Sequence, residues 1–389
     1  MPVVLYVLAC AVFAQATSEF MLAGLVAPIA AELGVPLAAA GSLTSAFAVG
    51  MVIGAPIMAI SARRLRPRTA LVGFLLVFVV VHVVGALTSV FALLLVTRVL
   101  AALANAGFLA VALAVALRVV DADCTARATA TLLAGTTLAL IVGVPAGALL
   151  GQYLGWRATF WAVALISIPP LVGVLTGVPS QPDAQDVVPA TRRELRCLRR
   201  APVVLTLLVG ALVNGATFAV YTYLSPLLTG AGRLDASAVP LGLVLFGLGA
   251  FVGVTMAGRL ADRHYRRLVV VAGAGVLAGW IILGVLAGYG WVALGLLPVL
   301  GLLAFALGST VIAGSLSLTP EAPTLGGSFT TAALNLGATL GPVLGGLALA
   351  ASTRGPVWVA VGLVATAAVP GLIALRPPDP NPRLQRDSH

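Results

Sequence analysis

The chain has no lysine, three histidines, three cysteines and only twelve acidic residues in 389 positions. Charged side chains make up 9% of it, against about 25% in an ordinary soluble domain. Because charged groups dominate the exposed surface of water-soluble proteins, this deficit excludes a soluble enzyme, a coiled coil and a disordered chain alike. Cys10, Cys124 and Cys197 are odd in number and widely spaced, so they imply neither a disulfide framework nor a metal site. No cofactor and no bound metal are expected. The opening MPVVLYVLACAVF lacks a basic stretch, and its apolar run outlasts any signal peptide, so it reads as an uncleaved first span.

Apolar residues account for 60% of the chain, and the mean hydropathy is +1.11. This is the composition of an integral membrane protein. A spanning helix needs about 20 mostly apolar residues. Twelve such stretches follow one another, near 4–31, 38–60, 69–88, 91–117, 127–150, 158–178, 202–229, 239–258, 268–288, 291–316, 326–350 and 357–375. Their length predicts helices, since barrel strands alternate polarity over about 10 residues.

All 22 basic residues are arginine. Arg98 falls within a span; of the other 21, 18 fall in loops on the side of the N-terminus and only Arg157, Arg233 and Arg354 on the opposite side. Positive charge is retained on the cytoplasmic side of a membrane, so both termini are expected in the cytoplasm, with the chain multi-pass in the cell inner membrane. The net charge of +10 is then a set of topological anchors, and no nucleic-acid partner is expected.

Pro28 and Pro226 are 198 residues apart, Ala62 and Asp262 200, and Pro145 and Pro342 197. Three landmarks that agree this closely predict an internal repeat. The expected domains are an N-terminal six-helix bundle over 1–178, a cytoplasmic linker over 179–201, a C-terminal six-helix bundle over 202–375, and a cytoplasmic tail over 376–389. The linker, Pro- and Gln-rich and then basic, reads as a connector lying on anionic headgroups; a regulatory element is the sharper alternative. Two repeated bundles with a site between them are the architecture of alternating-access carriers.

Ionisable groups inside a bilayer are costly and therefore functional suspects. The spans hold three: Glu19, His82 and Arg98. Glu19 shares a helical face with Gln15, one turn away. Counted along the helices, Glu19 lies about 14 Å below Pro28 and Arg98 about 8 Å below its own outer end, close enough for long side chains to meet. Glu19 and Arg98 are the expected proton-coupling pair, a fixed structural ion pair being the alternative. Asn105 lies two turns further in on the Arg98 face. His82, among valines, reads as hydrogen-bonded structure. Span 7 carries Asn214, Phe218, Tyr221 and Ser225 at helical spacing, and span 11 carries Thr331 and Asn335. Gln15, Asn105, Asn214, Phe218, Tyr221 and Asn335 are the expected substrate contacts. An aromatic and amide lining without charge suits a neutral, drug-like molecule, although such stripes also serve as glue between helices. Gly143, Pro145 and Gly147 in span 5 match Gly341, Pro342 and Gly345 in span 11. Small residues permit close approach and proline bends a helix, so these are expected to be paired conformational elements.

These residues together resemble the major facilitator superfamily, within its drug:proton antiporters. The stretch from Gly258 to Arg267, with Asp262, Arg263 and Arg266, is similar to that superfamily's loop signature, with Tyr265 where glycine is usual. The first-half copy departs from it at Ala62 and Leu65, which leaves Asp262 as the latch, against Arg127 or the start of span 5. Arg98 matches the family's fourth-span arginine, to which the resemblance assigns a role in proton transfer. Gly143-Val144-Pro145-Ala146-Gly147 resembles the fifth-span antiporter motif. More narrowly, TSEFMLAGLVAPIA, TRVLAALANAGFLAVAL and NGATFAVYTYLSP look like the chloramphenicol-resistance exporters of actinobacteria. The resemblance implies the major facilitator fold, monomeric, and proton-coupled efflux of chloramphenicol conferring antibiotic resistance. The alternatives are efflux of sugars or other small neutral metabolites and, from another class, a non-transporting receptor. An enzyme is not expected.

Overall fold

In hydrocarbon every backbone N–H and C=O must find a partner within the chain, and a helix achieves this along a single segment. The computed structural model, which describes residues 2–61, 66–121, 124–178, 194, 196, 198–322 and 325–375, is helical throughout its spans. Spans 1 to 6 are Val3–Phe20, Leu37–Met58, Pro67–Leu87, Phe91–Arg118, Arg127–Leu154 and Trp156–Gly177. Spans 7 to 12 are Ala201–Tyr221, Ala238–Ala261, Arg263–Leu286, Gly290–Ser317, Leu325–Leu349 and Gly355–Ala374. The protein is a multi-pass membrane protein with twelve spans, each close to its expected stretch.

Four spans depart from regularity, three of them next to a proline; span 6 breaks at Ser167, just before Pro169 and Pro170. Span 1 breaks at Met21 and resumes as Leu22–Leu33, which carries Pro28. Span 7 breaks likewise after Tyr221, ahead of the short helix Leu224–Pro226 and a π-helical turn, Leu227–Ala231. In span 5 a second π-helical turn, Ala139–Gly143, lies just before Pro145, where the Val144 N–H reaches five residues back to the Ala139 carbonyl. A proline contributes no N–H and crowds the preceding turn, and a widened turn is a common relief.

Spans 8 and 9 extend further than the sequence reading. A loop was expected over the Gly258–Arg267 signature; instead the two helices within Ala238–Leu286 run into it from both sides and join at a kink where His264 leaves helical geometry (φ −131°, ψ 30°). Arg, Leu and Ala favour helix, and Tyr265 fills the place of the usual glycine, so the segment carries no helix breaker after Gly258. The Tyr265 ring instead lies against Gly314 of span 10, where any larger residue would collide with it.

Three buried clusters hold the helices together. One joins Leu5, Leu8, Leu71, Leu75, Phe108 and Val174. Another joins Leu25, Phe47, Phe78, Trp156 and Phe160 with Tyr223 of span 7. The third centres on spans 7, 8 and 10 and takes in Phe20, Leu140, Val144 and Ala148 from spans 1 and 5. The first six spans therefore meet the last six at the ends facing the loops that follow the odd-numbered spans. There Ser45 Oγ donates to the Thr339 carbonyl (2.7 Å), Tyr223 Oη to the Pro342 carbonyl (2.8 Å), and Gln152 Nε2 to the Ala236 carbonyl (2.7 Å). The Tyr223 hydroxyl fits because Gly41 and Gly346 on either side have no side chain.

Candidate functional site

The break in span 1 positions the site. The first segment ends at Phe20, so Ser18 and Glu19 occupy its last turn, where helical carbonyls lack intrahelical partners. Arg98 of span 4 meets that turn. Its Nη2 donates to the Ser18 carbonyl (2.7 Å) and its Nη1 to Ser18 Oγ (2.7 Å). The cation thus stands at a helix C-terminus, where the helix dipole favours it. Its plane lies 4.7 Å from the centre of the Phe47 ring of span 2, a cation–π contact. Ser18 Oγ also lies 2.7 Å from His82 Nε2, and His82 Nδ1 lies 2.7 Å from the Phe78 carbonyl. Ser18, His82 and Arg98 are each at least 99% buried.

Glu19 and Arg98 interact electrostatically but do not form a direct ion pair. The guanidinium is held by Ser18, and Glu19 has no hydrogen-bond or ion-pair partner among the described residues. Glu19 is only half-buried, whereas its neighbour Ser18 is fully enclosed. The sequence missed Ser18 because a hydroxyl in a span is commonplace. It placed His82 correctly among hydrogen-bonded groups without naming the partner.

An aromatic cluster adjoins Glu19. Phe20 stacks on Phe218 with ring centres 5.8 Å apart and meets the Tyr221 ring edge-on at 6.3 Å. Tyr221 leans on Phe246 at 5.1 Å, and Phe246 on Phe305 at 6.0 Å. Spans 1, 7, 8 and 10 each contribute. Phe218 and Tyr221 were expected here. Phe20, Phe246 and Phe305 lie in uniformly apolar stretches that carry no signal of their direction.

Several polar groups near these helices are buried and unpaired. Among the described residues, both amide atoms of Gln15, the hydroxyls of Tyr221 and Thr222, and the Thr44 hydroxyl have no partner. Leaving such a group unmade costs about 1–3 kcal/mol, so they are candidate donors and acceptors for a ligand. The other expected contacts are engaged within the protein. Asn214 Nδ2 donates to the Leu334 carbonyl (2.8 Å) and so fastens span 7 to span 11. Asn335 Nδ2 donates to the Thr331 carbonyl of its own helix (3.0 Å), and Asn105 Nδ2 reaches Met51 Sδ at 3.7 Å. Their amide oxygens remain available.

The glycine and proline positions are helix contacts. Gly143 of span 5 lies on Thr17 of span 1, and Gly147 on Thr159 of span 6. Gly337 and Gly341 of span 11 bring its backbone directly onto that of span 7 at Ala211 and Gly215, with Pro342 and Gly345 continuing the stripe toward Tyr223. Gly258 is unconfined, and Arg263 and Arg266 are exposed. The side chain of Asp262, and with it the expected latch, lies outside the described residues, as do Ala62 and Leu65. Among the described residues no three His, Cys, Asp or Glu side chains stand together as metal ligands would.

The sequence profile of the Major Facilitator Superfamily matches residues 8–332 and 235–389 of this chain. The chain is 50% identical to the chloramphenicol resistance protein of Streptomyces lividans, over 94% of this chain and 95% of that protein. It is 33% identical to the inner membrane transport protein YdhP of Escherichia coli K12, over 89% of each. Its fold is similar to that of the nucleoside transporter NupG (TM-score 0.76, 12% identity, 96% of this chain and 99% of that one). It is likewise similar to a bacterial homologue of the human lysosomal transporter Spinster in an inward-facing, occupied conformation (TM-score 0.75, 16% identity, 95% and 96%).

Proposed function

The chain belongs to the major facilitator superfamily of membrane transporters, and from that premise we propose that it exports small neutral aromatic drugs, chloramphenicol among them, in exchange for protons. The observation that carries the reading is the cluster of Phe20, Phe218, Tyr221 and Phe246 with its unpaired Tyr221 hydroxyl, together with the unpaired Gln15 amide of span 1. Chloramphenicol presents an aromatic ring, hydroxyls and an amide, and carries no charge. Its ring suits an aromatic enclosure, and its polar groups suit orphaned donors and acceptors. The Streptomyces relative, named for resistance to this drug, supports the substrate.

The proton half rests on Glu19, a half-buried carboxyl whose electrostatic neighbour Arg98 is held elsewhere. Glu19 takes a proton when open to the outside and gives it up when open to the cytoplasm, with Arg98 favouring its release. Exchange of a neutral drug for one proton moves net charge, so a negative-inside potential drives export at about 2.3 kcal/mol per 100 mV.

Residues 1–178 and 202–375 are the two bodies that rock against each other, joined by 179–201, in a monomer in the cell inner membrane. With both termini cytoplasmic, as the arginine distribution requires, the Ser45–Thr339, Tyr223–Pro342 and Gln152–Ala236 contacts form the outer seal. Asp262, Arg263 and Arg266, at the junction of spans 8 and 9, latch the alternate state.

The test is growth under chloramphenicol of a susceptible host expressing the wild type or Glu19→Gln at equal levels, followed by drug-driven proton flux in proteoliposomes. Resistance and flux from the wild type, both lost in the variant, are expected. Glu19→Gln that retains full proton movement would falsify the coupling role. No resistance from a well-expressed wild type would redirect the reading to sugars or other small neutral metabolites.

A further inference from the structure

A serine hydroxyl has one proton to donate and two lone pairs with which to accept. At Ser18 one lone pair takes the Arg98 Nη1 proton, and the hydroxyl also faces His82 Nε2, each at 2.7 Å. On the far side of the ring, His82 Nδ1 faces the Phe78 carbonyl at 2.7 Å. A carbonyl only accepts, so Nδ1 carries a proton. A guanidinium only donates, so the Ser18 proton is free to point at Nε2. Every bond is then matched: Arg98 donates to Ser18, Ser18 donates to His82, and His82 donates to Phe78. The matching requires a neutral imidazole.

A proton on Nε2 would turn that nitrogen into a second donor toward the same hydroxyl. Ser18 Oγ would then face two cations inside a fully buried site, and its own proton would lose its acceptor. Repulsion between two cations across that one oxygen therefore sets a protonated His82 against the Arg98–Ser18 bond. The groups around the ring leave Arg98 as the element that decides. Span 1 presents Ser18 and Glu19, and span 4 presents Arg98. Span 6 presents Phe160, ring centres 5.9 Å apart, while its Arg157 is engaged at the outer end with Glu32 and the Thr88 carbonyl. Arg98 is held only by uncharged partners, and its Nε is buried without one. The carboxyl beside Ser18 in the chain is the competing partner.

We propose that His82 is a second proton-binding residue, loaded in alternation with Glu19 as Arg98 moves between Ser18 and the Glu19 carboxylate. In the arrangement seen here the proton sits on Glu19, Arg98 bonds Ser18, and His82 is neutral. In the other, the Glu19 O–H bond is broken and the carboxylate pairs with Arg98. An N–H bond forms on His82 Nε2, which donates to the released Ser18 oxygen. One proton is shared, and the three groups carry a net charge of +1 in both arrangements, the new carboxylate being paired with Arg98. The proposal rests on Glu19 as the proton site and extends the relay to span 3.

Histidine ring 15N spectra of the full chain in lipid nanodiscs, recorded from pH 5 to 9, read the His82 protonation state without reference to transport. The chain has three histidines, and subtraction of a His82→Gln spectrum assigns the signal. In the wild type an imidazolium fraction is expected within this range. In Glu19→Gln, where Arg98 has no carboxylate to turn to, His82 is expected to stay neutral with its proton on Nδ1 throughout, and Glu19→Asp is expected to restore the imidazolium. A neutral His82 in all three proteins, or equal imidazolium in wild type and Glu19→Gln, overturns the proposal. In proteoliposomes His82→Gln, which keeps an acceptor for Ser18, is expected to reduce drug-driven proton flux at least tenfold; unchanged flux also overturns it. A wild type that moves no protons with drug, yet shows the spectral difference, would count against proton-driven export and leave the His82–Glu19 exchange standing.

Discussion

Tyr221 carries a buried hydroxyl with nothing to bond, on a ring packed between Phe20, Phe218 and Phe246. A side chain under those conditions lowers stability unless something else uses the hydroxyl. Tyr221→Phe is therefore expected to leave the melting temperature in detergent unchanged or slightly raised. It should weaken drug binding about 5–10-fold, the loss of one hydrogen bond of about 1 kcal/mol. Equal losses of stability and affinity would show the hydroxyl to be structural. At this scale the sequence was informative where chemistry is rare. A glutamate and an arginine within apolar helices stand out, and so does an aromatic stripe at helical spacing. Ser18 did not stand out, because its role arises from three helices meeting at one hydroxyl. Asn214 and Asn335 were read as cavity residues from their spacing, which cannot distinguish an amide turned to a ligand from one bonded to a backbone carbonyl.

Among the helices, what the sequence predicts best is length, and what it predicts least well is where a helix bends or ends. Twelve spans followed from apolar runs alone. The break at Met21 did not, since methionine is a good helix former and no glycine or proline marks the spot. The extension of both helices into the Gly258–Arg267 signature, up to the kink at His264, was likewise hidden by a run of charge that resembles a loop. The far end of the linker offers a test. Glu194, 1% exposed, accepts the Leu325 N–H at 2.8 Å and so caps the first turn of span 11. Arg200 at the linker's end pairs with Glu321 at 3.0 Å, but this pair is exposed and of small worth. Glu194→Ala is expected to lower the melting temperature, by a cost of about 0.5–2 kcal/mol for a lost cap, and Arg200→Ala to lower it little. Comparable thermal shifts for the two would refute the capping account.

At the scale of the molecule, the arginine distribution and the meeting of the two sets of six spans make a joint statement about sidedness. Arg66, Arg118, Arg200 and Arg267 mark one face, and Gln152, Ala236 and Ser352 lie near the other. Impermeant maleimide applied to intact cells gives the check. Ser352→Cys, placed in a chain whose native cysteines are replaced, is expected to label from outside. Native Cys124, in the loop between spans 4 and 5, is expected to label only after permeabilisation. External labelling of Cys124 would invert the topology and move the Tyr223 seal to the cytoplasmic side.

Sequence alone determined the solvent of this protein, the number and length of its spans, its family and the charged groups worth attention. Each of these depends on transfer of residues between water and hydrocarbon, or on local motif, and both are additive along a chain. Tertiary structure alone decided that Arg98 binds Ser18, which in turn meets His82, rather than Glu19 directly. It also decided that the rings of Phe20, Phe246 and Phe305 pack into one cluster with Tyr221, and that spans 7 and 11 touch through backbone at Gly337 and Gly341. Those outcomes depend on rotation and depth of one helix against another, which side-chain packing sets and hydropathy leaves undetermined.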